Sequence, residues 1–289
     1  MKNRKKQVGY LLVLAIIFLG VFIFYLSFKQ NKQSDLLKVV YLDIGQGDAI
    51  YIETPNKKQI LIDAGPTALT LSRLSKVMPF ADRSLDLLIL THPDQDHIGG
   101  APPILDSYKV DNVLVTGFYS DSSLAQELDS KIEKLKLNRI IAKRGQRFVL
   151  DQSRNIYLDI LFPNQDIADL ESNETSIVSK LIYGQKSFLF VGDSSIYNES
   201  LIIWKEEEKT IDSDILLLGH HGSKTSSSLL WLEKVSPDLA IISAGQNNRF
   251  GHPSEEVLNR LEKLNIPHPV TFIEGNIILF SDGQKIFQK

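Results

Sequence analysis

The densest group of chemically useful side chains in this sequence lies between residues 92 and 97. The chain there reads His92-Pro93-Asp94-Gln95-Asp96-His97, directly after an apolar run and before the pair Gly99-Gly100. Two imidazoles and two carboxylates within six positions suit a divalent cation, because imidazole nitrogen and carboxylate oxygen are common metal ligands in proteins. The alternative for such a segment is a solvated turn or a helix cap.

Two later segments favour the metal site, because they deliver the same residue types after apolar strands. Asp193 follows the run Phe188 to Val191 and a glycine, and His220 and His221 follow Ile215 to Leu218 and a glycine. Active sites of α/β proteins lie beyond the carboxyl ends of strands, where these residues are placed. The chain has no Cys, which excludes disulfides and thiolate ligands and leaves His, Asp, Glu or Asn to hold a metal.

Short aliphatic and β-branched runs predict the strands that position these residues. Helical periodicity predicts a helix over Leu124–Leu135 and another through Val257 and Leu264 with Ser254 as N-cap; further helices are expected around Thr70–Val77, Ile98–Leu105, Tyr197–Lys205 and Ser227–Lys234. The predicted strands are Leu37–Leu42, Ala49–Glu53, Gln59–Ile62, Leu85–Leu90, Asn112–Val115, Ile156–Leu161, Ile177–Ile182, Ser187–Val191, Asp214–Leu218, Leu239–Ile242 and Asn276–Phe280. This alternation predicts one α/β domain in which helices cover sheets.

The N-terminal region predicts a membrane anchor. Residues 8–28 (Val8 to Phe28) are apolar and uncharged, long enough for a transmembrane helix. Basic residues at 2, 4, 5 and 6 predict a cytoplasmic stub over 1–7 and an extracytoplasmic remainder, although Lys29, Lys32 and Lys38 weaken this asymmetry. A short tether (29–36) and a folded domain (37–289) would follow. A cleaved signal peptide is the alternative, but Tyr25 to Lys29 lacks a small-residue cleavage site.

Composition limits the choice of function. The chain is 43% hydrophobic and 23% charged, as expected for a globular protein with a sizeable core. Four basic and no acidic residues lie in the first 28 positions, which leaves 28 basic against 35 acidic residues beyond them, a formal charge of −7. A strongly basic nucleic-acid surface is therefore not evident, and a polyanion would have to meet a local patch or the metals.

Six motifs together resemble the metallo-β-lactamase superfamily and, more narrowly, the extracytoplasmic hydrolase domain of the ComEC family of DNA-uptake proteins. The resemblance spans about residues 38–280. The motifs are Leu42-Asp43-Ile44-Gly45-Gln46-Gly47-Asp48-Ala49, Leu61-Ile62-Asp63-Ala64-Gly65, His92 to His97, Gly192-Asp193, Gly219-His220-His221-Gly222-Ser223-Lys224-Thr225-Ser226 and Asn247-Asn248-Arg249-Phe250-Gly251-His252-Pro253.

The resemblance implies an αββα sandwich, preceded here by the predicted transmembrane helix, with two divalent metal ions in a groove along one edge. Its motifs imply that His92 and Asp94 face the first metal, that Asp96, His97 and His220 hold the second, and that Asp193 bridges both. His220 is preferred to its neighbour because it directly follows the strand and Gly219. His221 would then orient a ligand or touch substrate.

Two positions depart from the usual superfamily pattern. Asp94 stands where His is usual, and Asn173 stands where another His ligand is often supplied. Both changes replace nitrogen by oxygen, which shifts metal preference from Zn²⁺ toward harder ions such as Mn²⁺ or Mg²⁺. The expected cofactors are two divalent ions, Mn²⁺ or Zn²⁺, and the first site is expected to hold Mn²⁺ or to be weakly occupied.

Several residues have alternative roles. Asp63 would hydrogen-bond a ligand histidine or stabilise its turn, and Asp43 and Asp48 would serve the Gly45-Gln46-Gly47 turn or support a ligand. His252 would donate a proton or bind a phosphate oxygen, with a helix cap or a structural His as the alternative. Lys224 and Ser223 lie in a polar cluster that suits an anionic group such as the substrate phosphate, with a solvated loop as the alternative. His268, between two prolines, is expected to be structural.

The expected function is extracytoplasmic phosphodiester hydrolysis, with Asp96 taking a proton from the attacking water. The resemblance makes DNA the leading substrate, during uptake. One helix cannot conduct DNA, so a separate channel protein would be a partner. The alternatives are another extracytoplasmic phosphodiester, such as a phosphocholine ester on a wall polymer, which the charge of −7 favours, and a non-catalytic anchored binding module.

Overall fold

The structure, a computed structural model, describes residues 14–22, 36–80, 82–163, 170–205 and 208–288. It divides into two compact units, Met1–Leu36 and Leu37–Lys289. Residues 14–22 of the first unit form a helix, α1. The predicted stub, the rest of the predicted transmembrane segment and tether residues 29–35 lie outside the described residues. No helix within the described ranges has the length and apolarity that crossing a bilayer requires.

The described part of the second unit contains two β-sheets. The strands of the first sheet are β1 (Leu37–Tyr41), β2 (Ile50–Glu53), β3 (Gln59–Ile62), β4 (Ser84–Leu90), β5 (Lys109–Val115), β6 (Asn138–Ile141), β13 (Ile277–Ser281) and β14 (Ile286–Gln288), in the spatial order β14-β13-β1-β2-β3-β4-β5-β6. Those of the second sheet are β7 (Arg147–Asp151), β8 (Ile156–Phe162), β9 (Val178–Tyr183), β10 (Lys186–Phe190), β11 (Ile215–Leu217) and β12 (Leu239–Ile241), in the order β12-β11-β10-β9-β8-β7.

Helices cover the outer faces of both sheets. Their bounds in the second unit are α2 (Leu69–Val77), α3 (Gln95–Ile98), α4 (Ala101–Ser107), α5 (Ser123–Lys134), α6 (Ile196–Lys205), α7 (Glu208–Ile211), α8 (Leu229–Val235), α9 (Glu255–Lys263) and α10 (Thr271–Glu274). Ser254 caps α9, as the sequence predicts, by accepting a hydrogen bond from Val257 N. Ser122 caps α5 in the same way by accepting one from Ala125 N.

Alternation of side chains along the strands creates the layers. In β1, Val39 packs in the cluster between the two sheets, and its neighbour Val40 packs in the cluster beneath the helices. Leu74 of α2 and Leu128 of α5 complete the cluster on the first sheet, and Trp231 of α8 belongs to the corresponding cluster on the second. Successive strand residues point to opposite faces, so each sheet is apolar on both sides. The predicted αββα sandwich is confirmed.

Parallel pairing brings functional loops to one end of the sandwich. Strands β3, β4, β5 and β6 pair in parallel, as do β10, β11 and β12. The loops that leave their carboxyl ends therefore meet at one edge. Strand β1 also pairs antiparallel with β13, which lies near the other end of the domain in sequence. Leu37 is opposite Ser281 in this pair.

Each predicted strand is present within a few residues of its expected bounds, and Ile98–Leu105 divides into α3 and α4. Three strands among the described residues were not predicted: β6, β7 and β14. All three lie at sheet edges. An edge strand pairs on one side only and is more exposed, so its apolar pattern is weaker.

Candidate metal centre

Five strand ends supply the candidate centre. Asp63 follows β3, His92 follows β4, Asp193 follows β10, His220 follows β11 and Ser243 follows β12. The strands belong to both sheets, so the centre lies where the edges of the two sheets come together. The α3 turn, which carries Asp96 and His97, starts from the same loop as His92. The structure thus brings all three predicted ligand segments together.

One set of ligand atoms, called here the first group, consists of His92, Asp94, Asp193 and His220. His92 Nε2 lies 3.8 Å from Asp94 Oδ2 and 3.8 Å from Asp193 Oδ2. His220 Nε2 lies 3.5 Å from the same Asp193 oxygen. The Ser172 hydroxyl donates a 2.5 Å hydrogen bond to Asp94 Oδ1, which fixes the other oxygen toward His92.

The second group consists of Asp96, His97, Asp193 and His221. His221 Nε2 lies 3.4 Å from Asp96 Oδ2 and 3.5 Å from Asp193 Oδ1, and His97 Nε2 lies 3.1 Å from Asp193 Oδ1. Asp193 therefore presents Oδ2 to the first group and Oδ1 to the second. This is the arrangement that the sequence analysis expected of a bridging carboxylate.

Adjacent histidines reach separate groups because of the backbone between them. His220 and His221 have φ of 50° and 55°, in the left-handed region that non-glycine residues seldom occupy. His220 N donates to Gly192 O at 3.0 Å, which ties this turn to the residue before Asp193. The geometry differs from the sequence-based preference for His220 in the second site: His221 faces Asp96, and His220 turns toward the His92 side.

Hydrogen bonds from surrounding residues orient all four imidazoles. His92 Nδ1 lies 3.1 Å from Thr91 Oγ1 and 3.3 Å from Ser176 Oγ. Asp63 Oδ2 lies 2.8 Å from His97 Nδ1, and its two oxygens also accept from the backbone N and hydroxyl of Thr91. His221 Nδ1 lies 2.9 Å from Ser243 O. Thr225 Oγ1 lies 3.3 Å from His220 Nδ1. Each contact holds one ring nitrogen and leaves the other directed into the centre, as is usual for metal-binding histidines.

Buried polar atoms test whether a cation fits here. His92 Nε2, His97 Nε2, His221 Nε2 and Asp193 Oδ1 are buried without a hydrogen-bond partner. Leaving such atoms unsatisfied costs free energy, and a metal ion that they jointly coordinate removes that cost. His92, His97 and Asp193 also place one ligand atom each within 4.8 Å of one another, as do Asp96, His97 and His221. The residues therefore fit divalent cations.

The shifted pKa values of Asp193 and His221 also favour a cation site. Burial would raise the pKa of Asp193, but the neighbouring imidazoles of His97, His221 and His92 hold it well below its usual value. Burial would lower the pKa of His221, and the carboxylates of Asp193, Asp48 and Asp96 overcome this and raise it to about 10. Bound cations would displace the protons that these carboxylates draw to the imidazoles.

Asp48, for which the sequence allows a role in its turn or in supporting a ligand, contacts the centre. Its side chain is 1% exposed, and both carboxylate oxygens lack a hydrogen-bond partner. Asp48 Oδ1 lies 3.5 Å from His221 Nδ1, on the side of the ring away from Asp96. Asp43, by contrast, pairs with Arg73 at 2.9 Å. The available signal was a carboxylate placed immediately after the Gly45-Gln46-Gly47 turn.

The other predicted residues lie around the rim. Lys224 is exposed beside Ser223, whose hydroxyl lies 2.9 Å from that of Thr225. Asn173 is half-buried in a 3-10 turn next to Ser172. The ring of His252 meets that of His220 edge-on with centres 5.4 Å apart. His268 Nδ1 lies 2.8 Å from Ile266 O, next to the end of α9.

Three sequence relatives match most of this chain. "ComE operon protein 3" of Bacillus subtilis is 33% identical over 248 residues, which are 79% of this chain and 31% of that protein. "Recombination protein 2" of Haemophilus influenzae is 32% identical over 91% of this chain and 31% of its own length. "Competence protein ComA" of Neisseria gonorrhoeae is 30% identical over 77% of this chain and 29% of its own length. The predicted resemblance is confirmed, and the chain spans less than a third of each of these relatives.

Solved structures and a family model agree on the fold. The metallo hydrolase Igni18 of Ignicoccus hospitalis has a TM-score of 0.55 at 17% identity, covering 84% of this chain and 98% of that one. The metallo-beta-lactamase fold protein YhfI of Bacillus subtilis has a TM-score of 0.55 at 14% identity, covering 85% and 100%. The model described as "Metallo-beta-lactamase superfamily" matches residues 42–246. Because that span contains every residue of both ligand groups, the chain belongs to the metallo-beta-lactamase superfamily.

Proposed function

We propose that this chain is a two-metal phosphodiesterase that cleaves DNA outside the cytoplasmic membrane, to which residues 8–28 anchor it. The observation that carries the proposal is the placement of Asp193, whose two oxygens face separate groups of ligand atoms. When bound, a pair of divalent ions at such a centre lowers the pKa of a water and offsets charge on phosphoryl oxygens. That chemistry suits hydrolysis of a phosphodiester.

Asp96 is the group proposed to accept a proton from the attacking water. Its Oδ2 lies 3.4 Å from His221, and its side chain is 30% exposed, so the carboxylate reaches both the second group and solvent. Burial would raise its pKa, but the imidazoles of His221 and His97 lower it to about 2. The carboxylate is therefore ionised near pH 7 and able to accept a proton from an attacking water.

Two rim residues are assigned to the substrate phosphate. The exposed ammonium of Lys224 would offset its charge, and the half-buried imidazole of His252, beside His220, would hydrogen-bond one of its oxygens. Burial, followed by the charges of His220 and His221, lowers the pKa of His252 to about 4. A neutral imidazole at this position binds by hydrogen bonding.

DNA is proposed as substrate because two relatives, one named as a recombination protein and one as a competence protein, match 91% and 77% of this chain. A separate channel protein would then pass the strand across the membrane. The second candidate substrate is a phosphocholine ester of a wall polymer. The formal charge of −7 beyond residue 28 favours it, because DNA-binding grooves rely on basic side chains.

Hydrolysis by the full chain in detergent tests the function. Bis-p-nitrophenyl phosphate and labelled single- and double-stranded DNA would be incubated with added Mn²⁺, Zn²⁺ or Mg²⁺, with EDTA as the blank. We expect metal-dependent release of nitrophenol and shortening of the DNA. Metal-independent cleavage, or none of either substrate with any ion, would contradict the proposal and favour an anchored binding module.

Asp193→Asn supplies the matched residue test, with His268→Ala as its control. Asparagine cannot give an anionic oxygen to both groups, so we expect hydrolysis to fall about 100-fold or more. His268 contacts Ile266 O and neither ligand group, so its loss should leave the rate within about twofold. Rates would be measured at saturating Mn²⁺, with thermal melts to check folding. Equal residual activity in the two variants would overturn the mechanism.

A further inference from the structure

A tightly held loop, residues 245–252, stands beside the centre. The side chain of Asn248 makes four hydrogen bonds to its backbone: its amide donates to Gly245 O and His252 O, and its carbonyl accepts from Phe250 N and His252 N. Gly245 N in turn donates to the Gln46 side chain at 3.2 Å. The loop is thus fixed from within and against the turn that precedes Asp48.

This loop extends the centre toward solvent through a row of rings. His252 meets His220 edge-on, and Phe250 stacks on His252 with ring centres 5.7 Å apart and planes 21° from parallel. The guanidinium of Arg249 lies over the Phe250 ring, 4.7 Å from its centre. Phe250 is 53% exposed, and Arg249 is also exposed. An aromatic ring and a cation therefore lie together at the mouth of the site.

The chemistry of this pair matches one kind of substrate. A nucleobase stacks on an aromatic ring or a guanidinium plane, and a guanidinium binds a phosphate through paired hydrogen bonds. A choline headgroup needs an aromatic face free of positive charge. At Phe250 the guanidinium already lies where a quaternary ammonium would bind, and it would repel that cation. The pair suits a nucleotide and disfavours phosphocholine.

We propose that Arg249 and Phe250 bind the nucleotide next to the scissile phosphate and so select nucleic acid over phosphocholine esters. The proposal rests on the proposed phosphodiesterase function and names its substrate class. The base stacks on the guanidinium of Arg249, which lies over the Phe250 ring, and the N–H edge of the guanidinium donates to the neighbouring phosphate. His252, between Phe250 and His220, links this binding surface to the ligand groups.

A matched control pair lies on α6. Trp204 is 75% exposed, and the ammonium of Lys205 lies over its ring, 4.2 Å from the centre. The pair occupies the carboxyl end of α6, whereas the amino end of that helix follows the Asp193 loop. Like Phe250 with Arg249, it sets a cation over an exposed aromatic ring, but it lies away from the ligand groups.

Two chromogenic esters with the same leaving group measure selectivity: thymidine 5′-p-nitrophenyl phosphate and p-nitrophenylphosphocholine. In Phe250→Ala and Arg249→Ala, we expect the ratio of kcat/KM for the nucleotide ester to that for the choline ester to fall roughly 5- to 100-fold, mainly through KM. In Trp204→Ala and Lys205→Ala the ratio should stay at the wild-type value. An unchanged ratio in the first two variants, or an equal fall in all four, would overturn the proposal.

Binding without turnover separates this proposal from the proposed function. In the full-length Phe250→Trp variant, with EDTA present, oligothymidylate should quench the added tryptophan emission, and an abasic oligomer of the same length should not. The wild-type protein, which retains Trp204 and Trp231, is the blank. Equal quenching by both oligomers, or by neither, would overturn nucleotide stacking. If neither ester is hydrolysed but selective quenching occurs, phosphodiesterase activity fails while nucleotide binding stands.

Discussion

The two consecutive histidines of the centre belong to different groups of ligand atoms. His221 is 1% exposed and faces Asp96 and Asp193 Oδ1, whereas the side chain of His220 is 26% exposed and faces Asp193 Oδ2. The left-handed backbone at both residues sends the two rings in different directions. Two residues that look interchangeable in the sequence therefore have different partners.

We expect His221→Ala and His220→Ala each to lose one of two bound ions, but from different groups. His221→Ala should weaken the ion held with Asp96 and His97, and His220→Ala the one held with His92 and Asp94. Isothermal titration with Mn²⁺ should show two sites in the wild-type protein and one in each variant. His220→Ala in combination with Asp94→Ala should still show one site. Loss of both ions in either single variant would contradict the division.

Residue types and spacing were enough to find most of the centre. The His92 to His97 segment, Asp193 and the histidine pair were evident because each follows an apolar strand and a glycine or a tight loop. The choice between His220 and His221 was not evident, because it depends on two backbone angles. The contact of Asp48 with His221 was also beyond the sequence, since the two residues are far apart in the chain and meet only after both sheets pack.

At the scale of elements, the turn before β2 fits closely against the α3 segment. A Cβ at Gly47 would lie 2.2 Å from Asp96 O, and Gly47 has φ of +123°. Gly45, in the same turn, has φ of +82° and open space around the same position. Both glycines adopt a backbone that other residues avoid, but only Gly47 also lacks room.

Gly47→Ala should therefore lower the free energy of unfolding more than Gly45→Ala. Alanine at 47 must push the Asp96 backbone aside, so we expect a further loss of roughly 1–3 kcal/mol in the free energy of unfolding and weaker binding in the second group. Urea unfolding and Mn²⁺ titration of both variants measure the two effects. If the two substitutions destabilise the protein equally, close packing of the turn on α3 is not what positions Asp96.

A buried carboxylate on α6 predicts a pH dependence of stability. Glu199 is 3% exposed and accepts hydrogen bonds from the backbone of Ser227 and Ser228, just before α8. Burial raises its pKa to about 7, against the opposing effect of these bonds and of Arg260. Since the unfolded pKa is lower, the folded state holds the proton more tightly, and the free energy of unfolding should fall as pH rises from about 4.5 to 7.

Glu199→Gln isolates this contribution, because glutamine does not ionise. The difference in unfolding free energy between wild type and variant should change by up to about 3 kcal/mol between pH 4.5 and 8, with the wild type losing more. Urea unfolding in a single buffer series, without added metal, gives both curves. A wild type that gains stability over this range relative to the variant would show that Glu199 is ionised in the fold.

Elements were predictable where they are buried on both sides. Inner strands such as β4 and β10 carry continuous aliphatic runs, and amphipathic α9 carries its Ser254 cap in the sequence. The edge strand β6 is exposed at three of its four residues, and β14 has three residues. Such short, exposed strands form because a neighbour offers hydrogen bonds, and that neighbour is not visible in the local sequence.

For the whole molecule, the main prediction concerns the membrane. The apolar run of residues 8–28 should keep the full chain in membranes washed with carbonate, with residues after Lys38 open to protease from outside. A chain with Leu14, Ile17 and Leu19 all changed to Lys is the control and should be released. Release of the unmodified chain through a cut near Ser27 would support a cleaved signal peptide instead.

The pairing of β1 with β13 has a consequence for biosynthesis. The ribosome delivers β1 early, and β2 can cover one of its edges at once. Its other edge pairs with β13, so it stays unpaired until nearly the whole domain has been synthesised. During that interval β1 offers unpaired backbone groups to any strand nearby. Nascent chains of this domain should therefore depend on a chaperone, or on slow release from the ribosome, to avoid mispairing. Fragments that stop before β13 should aggregate instead of folding.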